Sequence, residues 1–251
     1  MLTGQRKSLI LARLQRDGRV IAKDFAGELD VSEDTIRRDM REMAAAGLLT
    51  RVHGGALPIS PDLPDFSARK SRASTEKQAL AARAVEIVKP GQMVFLDGGT
   101  TNTEIARLLP QNLGLVVVTH SPTIAVDLEQ RGDIEVLLIG GRLYRHSMVA
   151  VGAIAAEAIG RLRPDLFFLG ATALHAQHGA TTGDPEEAAI KRLIASVSAE
   201  TFLCVTADKL DALSPCQILP LSDLSGVVVG RDVEAERLAP YRTAGVSLMV
   251  A

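Results

Sequence analysis

The stretch Asp30-Val31-Ser32-Glu33-Asp34-Thr35-Ile36-Arg37-Arg38-Asp39-Met40 decides how this 251-residue chain is read. Ser32 suits a helix N-cap, and Glu33 and Asp34 put negative charge in the first turn, where the helix dipole favours it. Ile36, Met40 and Met43 fall at i, i+4 and i+7 and form one apolar stripe. At about 100° per residue, Arg38 points almost opposite that stripe, with Thr35 on one flank and Arg37 and Arg41 on the other. A helix packed by its inner face on a preceding helix, with a donor-rich outer face, is what the DNA major groove accepts.

The flanks complete the pattern. Residues 5–16 predict an amphipathic helix carrying Leu9, Ile10, Ala12 and Leu14; Asp17-Gly18 stops it, and Val20-Ile21 fits a short strand. A second helix is expected over 22–29, with Phe25 and Leu29 at i, i+4. Gly47 supplies a C-terminal stop, and 48–55 alternates like a strand ending in a tight turn at Gly54-Gly55. Helix, helix, turn, helix and hairpin make a winged helix-turn-helix, with the helix-turn-helix itself at about 20–39. Arg51 and His53 then sit on the wing beside Gly54, placed for phosphates or the minor groove. The alternative is an ordinary solvated face, its arginines balanced by Asp34, Asp39 and Glu42. The ordered elements on both sides argue against it.

Val31 to Met40, with Gly47-Leu48-Leu49 and Arg51-Val52-His53-Gly54-Gly55-Ala56, resembles the DNA-binding domain of DeoR-family bacterial transcriptional regulators. Charge adds less. Residues 1–56 hold ten of the 28 basic and eight of the 30 acidic residues, so a local charge of +2 sits in a chain of net charge −2. That excludes a strongly basic, non-specific nucleic-acid binder; binding is expected from a localised patch, duplicated by oligomerisation.

Length predicts a small domain plus a large one: 1–56 for DNA binding, 57–73 as connector and 74–251 as a second domain. Leu57-Pro58-Ile59-Ser60-Pro61-Asp62-Leu63-Pro64 reads as an extended, semi-rigid spacer, with Phe66 and Arg69 docking it onto the larger domain. Two cysteines, Cys204 and Cys216, are too few for a disulfide framework, and Cys204 in an apolar run reads as a small hydrophobe. No run approaches the ~20 apolar residues of a membrane helix, and the N-terminus has no signal-peptide core. A cytoplasmic location follows as the expectation. No cofactor motif, metal-ligand set or catalytic set is legible.

A helical pattern runs over 74–88 through Leu80, Ala81, Ala84, Val85 and Val88, and Lys89-Pro90-Gly91 ends it. Beyond it, strands are predicted over 93–96, 115–119, 134–139, 166–170, 201–206, 226–229 and 246–250, and helices over 102–109, 122–130, 153–162 and 185–198. Alternating elements with continuously apolar strands imply an α/β domain built on a mostly parallel sheet. Ligands bind such sheets beyond the carboxyl ends of the strands. The first such loop is Asp97-Gly98-Gly99-Thr100-Thr101-Asn102. Its glycines expose backbone N–H groups, the threonines add donors, and a helix N-terminus follows, which together suit a phosphate or carboxylate. A plain tight turn explains the same residues. The loop is neither a Walker motif nor GxGxxG. Further strand ends offer His120-Ser121, Gly140-Gly141 and Gly170, with Lys191 on a helix and Lys209 after a strand. Each lysine alone reads first as a surface residue, and His120 reads equally as a ligand donor or a partly buried polar group.

Phe95 to Thr101, Val117 to Ser121, Leu138 to Gly141, Ser147 to Gly152, Phe168 to Gly170, Glu187 to Arg192 and Asp208-Lys209-Leu210 resemble the C-terminal sensor domain of the same family. That domain is similar in fold to ribose-5-phosphate isomerase and coenzyme-A-transferase-like proteins. The resemblance implies a cradle for a phosphorylated sugar or polyol, with Asp97, Glu187, Lys191 and Lys209 lining it. The sequence departs from the family pattern where Asp208 directly precedes Lys209 and where 171–175 replaces a more glycine-rich segment.

Together these readings give a ligand-controlled repressor of a carbohydrate or polyol operon. It is expected to bind operator DNA as a homo-dimer or homo-tetramer and to leave it when a sugar phosphate binds. Two competitors remain: a sugar-phosphate isomerase that retained a DNA-binding domain, and a constitutive DNA binder with a vestigial pocket.

Overall fold

The computed structural model describes residues 2–58, 66–70 and 75–251, so most of the proline-rich connector and Ser74 lie outside the described residues. Helix α1 (Thr3–Asp17) leads to β1 (Val20–Ile21), α2 (Ala22–Glu28), α3 (Glu33–Ala45), β2 (Thr50–Val52) and β3 (Gly55–Leu57). The three strands form an antiparallel sheet in the order β1-β3-β2. Ile10, Leu14, Phe25, Ile36, Met40, Met43 and Leu49 close a separate apolar core. Each such side chain contributes about 1.5–3 kcal/mol on full burial, so the stripe predicted on α3 is what seats that helix. Gly47 ends it in the left-handed region (φ 68°), with Leu48 N–H donating to Met43 O at 2.9 Å.

Asp39 counts against the alternative of an ordinary solvated face. It does not sit on the solvated face with Asp34 and Glu42; it is 3% exposed and accepts from Arg6 of α1 at 2.6 Å. Its charge is spent inside the domain, holding α1 against α3, and does not offset the exposed arginines.

After α4 (Phe66–Lys70) and α5 (Thr75–Val85) the chain builds the larger domain. Its elements are β4 (Met93–Leu96), α6 (Thr100–Leu108), β5 (Val116–Thr119), α7 (Pro122–Asp127), β6 (Glu135–Leu138), β7 (Arg142–Tyr144), β8 (Val149–Val151) and α8 (Ala153–Gly160). There follow β9 (Leu166–Leu169), β10 (Ala173–His175), β11 (Gly179–Thr182), α9 (Pro185–Val197), β12 (Glu200–Val205), β13 (Cys216–Leu219), β14 (Gly226–Val229), α10 (Ala235–Thr243) and β15 (Leu248–Val250). Seven strands, in the order β15-β14-β12-β9-β4-β5-β6, form one wholly parallel sheet.

Alternate residues of those strands serve two cores. Phe95, Phe167, Leu203 and Val227 pack on one face with α8, α9 and α10; Val94, Phe168, Cys204 and Val228 pack on the other with α5, α6 and α7. Period-two alternation between two apolar layers explains why these strands read as unbroken hydrophobic runs. Strand β6 differs. It is the sheet's edge, and Val136, Leu137 and Leu138 remain 36%, 39% and 49% exposed. Among the described residues no helix is long and apolar enough to cross a membrane.

The sequence did not signal two antiparallel additions. A β7–β8 hairpin leaves the sheet after β6, and β10, β11 and β13 form a three-stranded sheet of their own. Both hairpins fold over the carboxyl end of the parallel sheet.

Candidate functional site

Strands β4 and β9 are neighbours in the sheet but not in sequence, so their carboxyl ends mark the point where strand order reverses. The crevice there is lined by Gly98, Gly99, Thr100, Thr101, Asn102, Gly170, Glu187, Lys191 and Lys209, together with Arg69, His146, Ser147, Thr182 and Cys204 among others. Nine of the expected pocket residues therefore meet in one place. Asp97, His120 and Ser121 do not line it; they are wholly buried beneath it.

Their burial has a clear purpose. Asp97 Oδ1 accepts from Gly98 N–H at 2.7 Å and faces His120 Nε2 at 2.8 Å, and Oδ2 accepts from Gly170 N–H at 2.8 Å. One carboxylate thus ties the ends of β4, β5 and β9 together. His120 Nδ1 faces Ala150 O at 2.8 Å. Both His120 partners are oxygen acceptors. Ser121 Oγ donates to Met148 O at 3.0 Å, so His120 and Ser121 together fasten the β7–β8 hairpin over the crevice.

Lys191, on α9, is 4% exposed and lies 3.0 Å from Asp97 Oδ2 and 3.3 Å from Glu187 Oε1. It also donates to Gly170 O at 2.6 Å. Burial works to raise the Asp97 carboxyl, but the Lys191 ammonium and His120 outweigh it and hold it at about 2. Glu187 is likewise lowered by Lys191 against its burial, and accepts from Thr182 Oγ1 at 2.7 Å. Asp184 caps α9, accepting from Glu186 and Glu187 N–H at 3.0 and 2.8 Å, and this sets the direction of both charged side chains.

The loop before α6 combines close packing with an uncapped helix N-terminus. Gly99 is the N-cap at φ 123°, with no side-chain cap, so the first-turn N–H groups open toward the crevice. A Cβ on Gly98 would lie 2.2 Å from Val149 Cγ1, and one on Gly170 would lie 2.6 Å from Gly98 O. Asn102 is structural: its amide donates to Asp97 O at 3.0 Å and Phe168 O at 2.9 Å. Lys209 follows β12 in a 3-10 turn and donates to Ala171 O at 2.8 Å. Burial and then the charge of Arg69 push its ammonium down to about 8. Cys204 is a buried thiol, pushed up to about 12 by desolvation.

Arg69 and His146 were not expected here. Arg69 belongs to the helix that ends the connector, and His146 sits on the β7–β8 turn, whose strands carry no legible sequence signal. Lys191 is engaged with the two buried carboxylates, and Arg69 and Lys209 line the same crevice. Two positive charges beside an uncapped helix N-terminus match a doubly charged anion.

In the smaller unit, Ser32 Oγ accepts from Thr35 N–H at 3.2 Å and caps α3. Arg37, Arg38 and Arg41 are exposed, with Arg37 held by Glu33 at 2.7 Å. Arg51 and His53 are exposed on the β2–β3 hairpin, whose turn needs Gly54 at φ 84°. A winged helix-turn-helix coupled to a parallel α/β domain with an anion crevice defines a DNA-binding regulator that carries its own sensor.

Known proteins agree. Residues 6–62 match a family model described as the DeoR-like helix-turn-helix domain, and residues 72–231 match the DeoR C-terminal sensor domain. The chain is 36% identical to the HTH-type transcriptional regulator GlpR of Haloferax volcanii, over 99% of this chain and 98% of that one. It is 29% identical to a putative aga operon transcriptional repressor of Escherichia coli O157:H7, over 99% and 94%. With the lactose phosphotransferase system repressor of Lactococcus lactis it shares 30% over 94% of both chains. A solved ribose 5-phosphate isomerase from Methanocaldococcus jannaschii overlaps 53% of this chain and 52% of its own, at TM-score 0.38 and 17% identity. That overlap is too slight to transfer a ligand. The chain belongs to the DeoR family of transcriptional regulators.

Proposed function

We propose that this regulator represses a carbohydrate or polyol operon and that a phosphorylated sugar or polyol releases it from its operator. The supporting observation is the crevice at the β4–β9 switch point, where Arg69, Lys209 and the α6 N-terminus converge. Relatives named as sugar-operon repressors point the same way. In this reading 1–56 is the DNA-binding domain, 57–73 the connector and 74–251 the sensor. Thr35, Arg37 and Arg38 approach base edges from an α3 capped by Ser32. Arg41, Arg51, His53 and Gly54 position the backbone and wing. Copies pair so that two wings meet half-sites about one helical turn, ~10 bp, or a multiple apart. The exposed apolar edge at β6 supports such pairing.

Turnover fits the crevice poorly. An isomerase needs a carboxylate base near operating pH, whereas Asp97 is sealed and held at about 2, and Glu187 is lowered and paired. The test is thermal denaturation against sugar and polyol phosphates and their unphosphorylated counterparts, followed by operator titration. A ligand at a hundredfold excess over its Kd adds ~2.7 kcal/mol, roughly 5–10 °C for a chain of this size. The expected result is a shift with one phosphorylated compound and a loss of operator affinity in its presence. Linkage requires operator DNA to weaken that compound by the same factor; equal affinity for the compound with and without operator would overturn release by this route.

A further inference from the structure

We propose that Arg69 is itself a ligand of the anion in the crevice, so that the effector's phosphate ties the connector from the DNA-binding domain to the sensor. This rests on reading the crevice as a phosphate site. Helix α4 is five residues long, far below the ~12–15 at which an isolated helix becomes even marginal in water. Its order therefore comes from its contacts. Phe66 is 4% exposed and its N–H donates to His146 O at 3.1 Å. Arg69 donates to the same carbonyl at 3.2 Å, and its guanidinium lies 5.9 Å from the Phe66 ring. One turn of chain, His146-Ser147, thus carries α4 on one side and lines the crevice on the other.

Arg69 and Lys209 line the same crevice, and the guanidinium opposes the ammonium's charge. A phosphate between them replaces repulsion by two charge-assisted bonds, and an arginine fork suits its paired oxygens. The chain from Leu57 to Phe66 can span at most about 30 Å. Fixing α4 therefore limits where the winged helix can stand, and this gives the effector a direct hold on DNA-binding geometry. Conversely, a conformer that draws α4 away removes one of the two cations and weakens phosphate binding.

The experiment is hydrogen–deuterium exchange of the full-length protein with and without inorganic phosphate at constant ionic strength, alongside thermal titration with the same anion. It uses wild type, Arg69→Gln and Arg69→Lys. Phosphate should slow exchange at both 99–103 and 66–70 in wild type. Arg69→Gln should bind phosphate at least tenfold more weakly and lose the protection at 66–70. Arg69→Lys keeps the charge without the fork and should fall between. Its unliganded melting point should match wild type, which separates lost ligation from a folding defect. Equal phosphate affinity in wild type and Arg69→Gln, or unchanged protection at 66–70, overturns the inference and leaves the phosphate reading intact. No protection at 99–103 in wild type, with no thermal shift, sinks both.

Discussion

Lys191 Nζ stands 3.0 Å from Asp97 Oδ2, both side chains buried, and this contact joins a helix on one face of the sheet to the end of β4. Around it Gly98, Gly170 and His120 complete the carboxylate's bonds. The pair fixes the floor of the crevice.

Removing one partner strands the other. Asp97→Asn or Lys191→Met should each cost about 3–5 kcal/mol and lower Tm by roughly 10 °C or more. The double variant should recover part of that loss. Additive losses in a double-mutant cycle would deny the coupling. Because the folded Asp97 carboxyl sits near 2, below its ordinary 3.8, its contribution of about 2–3 kcal/mol is present above pH ~4 and lost as pH falls toward 2. Asp97→Asn should flatten that limb of the acid-unfolding curve.

Lys209 sets the alkaline limit of effector binding. Burial pushes its ammonium down to about 8, and a bound anion would raise that value. Affinity for a sugar phosphate should thus fall by up to tenfold per pH unit above about 8. It should also weaken below ~6, where the phosphate takes up its second proton. Lys209→Met should cost about 1.5–3 kcal/mol of effector binding and abolish the alkaline fall. Calorimetric titrations between pH 6 and 10 would check both.

Gly98 separates the cradle from the hairpin above it. In Gly98→Ala the new methyl would meet Val149 Cγ1 at 2.2 Å and Ser147 O at 3.1 Å, which costs about 1–3 kcal/mol and pushes the hairpin outward. Melting should drop by several degrees and the effector-induced shift should vanish, while operator binding by the folded protein persists. An undiminished effector shift would show that the hairpin does not shape the site.

On the DNA side the arginines should divide by role. Arg38→Ala, at the outermost point of α3, should cost ~1–3 kcal/mol and relax preference at one base pair. Arg41→Ala or Arg51→Ala should weaken all sequences alike and reduce the salt slope by about one. Anisotropy titrations across a salt series, on operator and scrambled DNA, read both numbers. A uniform loss with Arg38→Ala would move it to the backbone class.

Local pattern located the apolar stripe of α3 and the seven strands of the parallel sheet, the first as a helical repeat and the others as short apolar runs. Ile36, Met40 and Met43 form a stripe on any helix, and a strand covered on both faces must be apolar throughout. The strand-end rule likewise pointed to Gly98–Asn102, Gly170 and Lys209 before any packing was known. Local pattern could not assign Asp39 to Arg6, since one exposed and one buried aspartate look alike within a single turn. Nor could it find the β7–β8 and β10–β11 hairpins, whose three- and four-residue strands are too short to show a period.

The sequence by itself determined the two kinds of domain, the reading helix and the glycine-threonine loop, because backbone preference and apolar repeat are local properties. Only the tertiary structure decided which charges are spent and which are offered. Asp97, His120 and Ser121 went beneath the crevice, Lys191 was consumed by two carboxylates, and Arg69 arrived from the connector. Burial and pairing set the worth of a charged group, and both depend on neighbours tens of residues away.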